Sequence, residues 1–123
     1  MPKKTNESHV KAVVKNLIDE AAKIKPLYTM TPATFGYGES GHPDRLLLLG
    51  GVMYGIECKK DINNSHSRPE LKPTKSEAFQ KLQLKRLAAA GGVPLIIHKD
   101  NLAVLKDLLE EFTGTKLTTK AEV

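Results

Sequence analysis

Apolar residues recur at helical spacing through the first part of the chain. Val10, Val13, Val14, Leu17, Ile18, Ala21 and Ile24 fall on one stripe, which predicts an amphipathic helix over 8–25. Thr5 and Asn6 offer capping oxygens before it, and Pro26 ends it. The pattern then breaks: residues 27–41 mix Thr, Pro and Gly around Tyr28, Phe35 and Tyr37, and read as loop with at most a short strand. Two compact apolar runs follow, Leu46–Leu49 and Val52–Cys58, separated only by Gly50-Gly51. Such a pair predicts a tight hairpin, because two-residue hairpin turns need positive φ at their centre. With those glycines as the loop, Leu49 faces Val52, Leu48 faces Met53, and the count continues until Asp44 stands opposite Glu57. Period-two alternation then puts Lys59 on the face of Glu57 and turns Cys58 away.

Residues 61–73 are polar and punctuated by Asn, Ser and Pro, and predict an exposed, mobile loop. Thr74 with Glu77 forms a capping-box pattern that starts a second helix, roughly Lys75 to Ala90, stopped by Gly91-Gly92. Val93–His98 reads as a short strand, and Pro94 near its start points to an edge or entry position. A third helix starts near Asp100 or Asn101, turns Leu102, Leu105, Leu109 and Phe112 inward, and ends before Gly114. Residues 113–123 are expected to be a flexible tail, frayed from 115 on for want of a core face. The order α, weak β, β-hairpin, α, β, α predicts one α/β domain with a small sheet flanked by helices.

Composition changes this picture in two ways. At 123 residues and 13.5 kDa the chain has room for a single core. No apolar run approaches the ~20 residues of a membrane span, and Met1-Pro2-Lys3-Lys4 leads into no secretory-type apolar stretch. One cysteine excludes an internal disulfide and suits a reducing compartment, so a cytoplasmic location is expected. The net charge of +5 favours a polyanionic partner.

The candidate chemistry lies on the hairpin. Facing residues of an antiparallel pair have Cβ atoms roughly 4.5–5.5 Å apart, and two like charges there are destabilising unless something offsets them. A divalent cation would do so, and carboxylate oxygens suit Mg²⁺ and Mn²⁺. The histidines (His9, His42, His66, His98) have no zinc-type spacing. Gln80 precedes Leu84 and Leu87 at helical intervals and extends their inward stripe toward the sheet.

Taken together, Gly41-x-Pro43-Asp44, the hairpin, Glu57-x-Lys59 and a capped helix carrying Gln80 and ending in Gly91-Gly92 resemble the PD-(D/E)XK nucleases. Within that superfamily the chain resembles the virus-type replication-repair nuclease (VRR-NUC) domain, from about residue 7 to about residue 109, in its stand-alone phage form. The resemblance implies a restriction-endonuclease-like core with a mixed sheet between helices. It also implies Mg²⁺- or Mn²⁺-dependent cleavage of DNA phosphodiesters, with branched DNA such as four-way (Holliday) junctions as substrate, a homodimer as the acting form, and a bacterial or phage-infected cell as the setting. Asp44 matches the central metal-binding aspartate, Glu57 the second acidic ligand, Lys59 the motif lysine and Gln80 the helix glutamine. For the acidic residue of the first helix, Glu7 fits and Glu20 is its rival. Cys58 departs from the commoner β-branched residue between the acid and the lysine, and its backbone carbonyl is a further ligand for the ion.

Each assignment has a plainer counterpart. Asp44 and Glu57 could be a solvated pair at strand ends, and Lys59 part of the Lys59-Lys60 run. Gln80 could hold a backbone group, and Glu7 could be favoured by the helix macrodipole alone. Lys72, Lys75, Lys81 and Lys85, joined by Arg86 and Arg68, suggest a DNA-gripping surface, or a solvated helix face. Two other functions stay open: a non-catalytic basic DNA-binding module, and a sequence-specific restriction-type nuclease on the same fold.

Overall fold

The computed structural model describes residues 6–33 and 40–123. Thr5, Phe35 and Tyr37, singled out above, lie outside them. The elements run α1 (Glu7–Ile24), β1 (Tyr28–Met30), β2 (Arg45–Leu49), β3 (Val52–Cys58), α2 (Lys75–Ala89), β4 (Val93–Ile97) and α3 (Leu102–Thr113). The chain, expected from its length to be one domain, divides into two compact units. One comprises 6–27, 58–62 and 97–123, the other 28–33, 40–57 and 63–96. The architecture is mixed α/β, and among the described residues no helix is long and apolar enough to cross a membrane.

In the first unit α1 packs against α3. Val10, Val14, Leu17, Ile18 and Ala21 form the buried stripe of α1, and Leu102, Leu105 and Leu109 that of α3. Asn6 caps α1 by accepting the His9 N–H (3.1 Å), while the His9 ring accepts the Asn6 N–H (3.3 Å). The helix stops at Lys25, whose extended backbone (φ −145) is what a residue before proline adopts. Gly114 ends α3 in the left-handed conformation, φ 71.

Two features of this unit depart from the pattern. Beyond α3 the chain docks instead of fraying: Leu117 is buried, and its N–H donates to Glu110 (2.7 Å). The Thr118 and Thr119 amides donate to the Glu20 carboxylate at 2.7 and 2.8 Å. One apolar residue and three amide hydrogen bonds suffice to hold a segment that has no periodic apolar face.

The second unit carries the sheet, in the order β1-β2-β3-β4. β1 pairs antiparallel with β2, and β2 with β3; α2 crosses from β3 to β4, so the sheet is mixed. Leu49 pairs with Val52, Leu48 with Met53, Leu47 with Tyr54, Leu46 with Gly55 and Arg45 with Ile56. Gly50 and Gly51 both have positive φ (53 and 86), as a primed hairpin turn demands. Pro94 lies in the edge strand β4, where its missing N–H costs no ladder bond.

The 61–73 loop is also less free than its composition predicts. Asn64 and Ser65 are buried, and the Glu77 carboxylate accepts N–H groups from both Ser65 and Thr74 (3.1 Å each). Glu77 therefore completes the capping box of α2 and tethers the loop in front of it.

Candidate functional site

Register decides which side chains can meet. Paired residues share a sheet face, so Leu46, Leu48, Met53 and Gly55 line one face of the hairpin, and Leu47, Leu49, Tyr54 and Ile56 the other. The ladder ends at Arg45↔Ile56; Asp44 lies in a bend just before β2, and continuing the count by one step would set it opposite Glu57, on the Gly55 face. Helix α2 covers that face. A Cβ on Gly55 would lie 2.5 Å from Leu87 Cδ2, 3.6 Å from Leu84 Cδ2 and 3.1 Å from Pro43 Cγ, so the bare glycine admits both the helix and the proline before Asp44. Gly92 serves the same contact at the helix end, its Cα facing Leu87 and the Met53 carbonyl.

These contacts run in order. Leu87 lies over Met53 and Gly55, and Leu84 reaches Gly55. Going back four helix residues from Leu84 to Gln80 covers ~6 Å at 1.5 Å per residue. Going two strand residues forward from Gly55 to Glu57 covers ~6.6 Å at 3.3 Å per residue. The two advances match, so continuing that order would bring Gln80 to about the level of Glu57.

A second glycine closes the constellation. Gly41 has φ 83, and a Cβ there would sit 2.5 Å from the Phe79 carbonyl carbon, 2.7 Å from its oxygen and 2.8 Å from the Gln80 nitrogen. The chain entering Asp44 thus rests directly on the backbone of α2 at the turn bearing Gln80. The Gln80 side chain meets His66, whose Nε2 is 3.1 Å from Gln80 Oε1. The sequence pattern placed His66 only within an exposed, mobile loop; a contact between a polar loop and a helix carries no periodic signal.

Glu57 is 2% exposed, while Asp44 is half-buried. A carboxylate removed from water needs compensating partners, since the effective penalty is several kcal/mol per ion. The solvated-pair reading therefore does not describe Glu57. Cys58 is buried and unoxidised, a core residue of the first unit. Just past it, the Lys59 N–H donates to the Ile97 carbonyl (2.9 Å), so the backbone stays in the sheet ladder where Lys59 follows Glu57.

The remaining candidates go elsewhere. Glu7 is ion-paired with Lys11 on the surface of α1 (3.1 Å). Glu20, its rival as a metal ligand, is engaged by the docked C-terminal segment through Thr118 and Thr119, and those backbone N–H groups lower its pKa from 4.5 to about 2. Its role is structural. Arg68, expected to face DNA, bonds Glu70 and Asn63 at 2.7 Å each, and holds the Glu70 carboxyl below its ordinary value. Lys72, Lys75, Lys85 and Arg86 are exposed and Lys81 half-buried. His42 is exposed and borders a cavity of about 460 Å³ formed with Pro43, Leu46, Arg86 and Leu87. His98 is buried, and its ring accepts the Asp100 N–H (3.2 Å) in the turn before α3.

Among the described residues, no three side chains of His, Cys, Asp and Glu gather to hold an ion. The second unit does carry two carboxylates on its hairpin segment, Asp44 and the buried Glu57. That set fits Mg²⁺, which commonly takes one or two protein carboxylates and leaves its other positions to water and phosphate. Compared with known protein families, characterised proteins and solved structures, the chain matches none.

Proposed function

We propose that the chain is a Mg²⁺- or Mn²⁺-dependent endonuclease of the PD-(D/E)XK type, similar to VRR-NUC domains, which hydrolyses phosphodiesters in branched DNA. The observation that supports this reading is the hairpin with its buried Glu57: its register, continued one step past Arg45↔Ile56, would bring Asp44 opposite that acid, on the face that α2 covers at Gly55. Two facing carboxylates are a liability for folding. They are an asset for holding a cation against a phosphate.

Asp44, Glu57 and the Cys58 carbonyl would hold the ion, which when bound neutralises phosphoryl charge and acidifies a coordinated water. Lys59, two residues beyond Glu57, brings an ammonium that orients the attacking water and counters negative charge developing on phosphorus-bound oxygens. Gln80 supplies a neutral amide on the same face to orient a phosphoryl oxygen. Attack by water forms the new P–O bond as the bond to the departing sugar oxygen breaks; the water gives up a proton to solvent, and the departing oxygen takes one from solvent.

Binding would rest on the charge of +5 and on Lys72, Lys75, Lys81 and Lys85, which contact backbone phosphate without reading bases. A two-fold dimer would present two such sites to opposed strands of a junction. The test is a synthetic four-way junction incubated with Mg²⁺ or Mn²⁺ beside linear duplex, with Asp44→Ala as control. Symmetric junction cuts by the parent protein and none by the variant are expected. A junction, flap and duplex all left intact would overturn the reading, and cation-independent binding without cleavage would select the non-catalytic DNA-binding module. Defined bands from linear duplex would select a restriction-type nuclease.

A further inference from the structure

We propose that His66 is a positioning residue for this site: it holds the Gln80 side chain in the orientation that presents its amide NH₂ to a phosphoryl oxygen of the DNA. The role rests on the nuclease reading above and assigns a part to a residue outside the Asp44, Glu57, Lys59 and Gln80 set.

The geometry begins with the amide itself. Gln80 Oε1 is 3.1 Å from His66 Nε2. A carbonyl oxygen can only accept, so His66 must donate from Nε2, in the Nε2–H tautomer or as the cation. The two ends of a primary amide diverge, so fixing the oxygen on His66 turns the NH₂ end away from the loop. An NH₂ end donates, and phosphoryl oxygens accept. A free glutamine would present either end.

The backbone is held on both sides of His66. Before it, the Ser65 N–H is fixed by the Glu77 carboxylate (3.1 Å), one turn of α2 from Gln80. After it, Asn64 Oδ1 accepts the Ser67 N–H (2.9 Å), and the Asn64 carbonyl accepts the Arg68 N–H (2.9 Å). Asn64 and Ser65 are 7% and 2% exposed, so this is a packed turn. The Gln80 backbone is fixed as well, by the Gly41 segment lying on it. His66 thus joins the loop to α2 through the Gln80 side chain, beside the Glu77–Ser65 tether.

The experiment compares the parent protein, His66→Ala, His66→Gln, Gln80→Ala and the double variant on a four-way junction with Mg²⁺. It reads single-turnover cleavage, junction affinity in Ca²⁺, and the Gln80 side-chain NH₂ resonances. Misplacing a positioned group costs up to ~100-fold in rate, so His66→Ala should slow cleavage by ~10–100-fold with affinity unchanged. His66→Gln, which keeps a donor, should recover part of the rate. The double variant should be no slower than the slower single, as residues acting through one another are not additive. The Gln80 NH₂ resonances should move in His66→Ala. Cleavage at the parent rate by His66→Ala, multiplied losses in the double variant, or unmoved Gln80 resonances would each overturn the role while leaving the nuclease reading intact. A parent protein that cuts no DNA would overturn both.

Discussion

Replacing Gly41 by alanine tests the contact that brings the Asp44 segment onto α2, and Gly51 supplies a matched control. The two glycines have nearly equal φ, 83 and 86, so an added Cβ meets the same left-handed strain at both, ~1–2 kcal/mol. They differ in surroundings. Around Gly51 nothing lies within 4 Å of the new carbon, whereas at Gly41 it would stand 2.5 Å from the Phe79 carbonyl carbon. Ordinary contact starts at 3.4 Å, so about 0.9 Å of backbone separation is required, and no flexible side chain is there to yield. Overpacking of this kind costs ~1–3 kcal/mol. Gly51→Ala should therefore destabilise by ~1–2 kcal/mol and Gly41→Ala by ~2–5 kcal/mol, out of a total stability of ~5–15 kcal/mol. Urea unfolding measures the gap: with a slope near ~2 kcal/mol/M, the two midpoints should differ by about 1 M. Gly41→Ala should also slow junction cleavage, because Pro43 and Asp44 move with the segment. Equal midpoints, or a less stable Gly51→Ala, would refute the close approach of the 41–44 segment to the helix.

Two further predictions concern ionisation and cation binding. The Glu20 pKa, depressed from 4.5 to about 2 by the Thr118 and Thr119 amides, gives a docking contribution that is complete above the unfolded value and lost as pH falls through about 2. Amide exchange at Thr118 and Thr119 should accelerate across that acid range, and Glu20→Gln should show fast exchange already at neutral pH; exchange unchanged in the variant would refute the latch. If Asp44 and Glu57 hold a divalent cation, Mg²⁺ or Mn²⁺ at a hundredfold excess over its Kd should stabilise the parent protein by ~2.7 kcal/mol. Asp44→Asn should abolish that increment in a thermal melt, and an undiminished increment would remove these carboxylates from the cation site.

Periodic apolar patterns carried the elements far into the fold. α1, α2 and α3 begin and end within a residue or two of their expected positions, and the hairpin pairs as two positive-φ glycines dictate. What stayed hidden was held by single polar side chains reaching across the sequence. Glu20 fixes a segment 98 residues away, Glu77 ties down Ser65, and His66 meets Gln80. A carboxylate that binds backbone N–H groups has the same composition signature as a solvated one, so the tail and the 61–73 loop read as free. Gly41 and Gly55 were similarly opaque: a turn glycine and a strand glycine look alike until the opposing helix is known. The hairpin register, by contrast, needed only counting, because a two-residue turn fixes which residues of a short hairpin face one another.

Three glutamates separate folding from function in this molecule. Glu77 is nearly buried and Glu20 is half-buried, and each directs its oxygens at backbone N–H groups that would otherwise go unmet. Their presence follows from capping and docking alone. Glu57 is more deeply buried than either, yet it belongs to a strand whose backbone groups are already occupied by sheet partners. Nothing in strand formation calls for a carboxylate there, and an apolar residue of similar volume is often as stabilising or more so at a buried charged position. Under the function proposed above, retaining an acid at this buried position is the kind of cost that stability alone does not select, but that activity can. The glycine turn makes the cost useful. It sets the register through Arg45↔Ile56, and one further step, roughly 17 Å along the strands from the turn at ~3.3 Å per residue, would bring the two carboxylates to one face. A one-residue slip would send Asp44 and Glu57 to opposite faces of the sheet. The turn therefore acts as the ruler of the site, and the chemistry proposed here depends on it as directly as on the acids themselves.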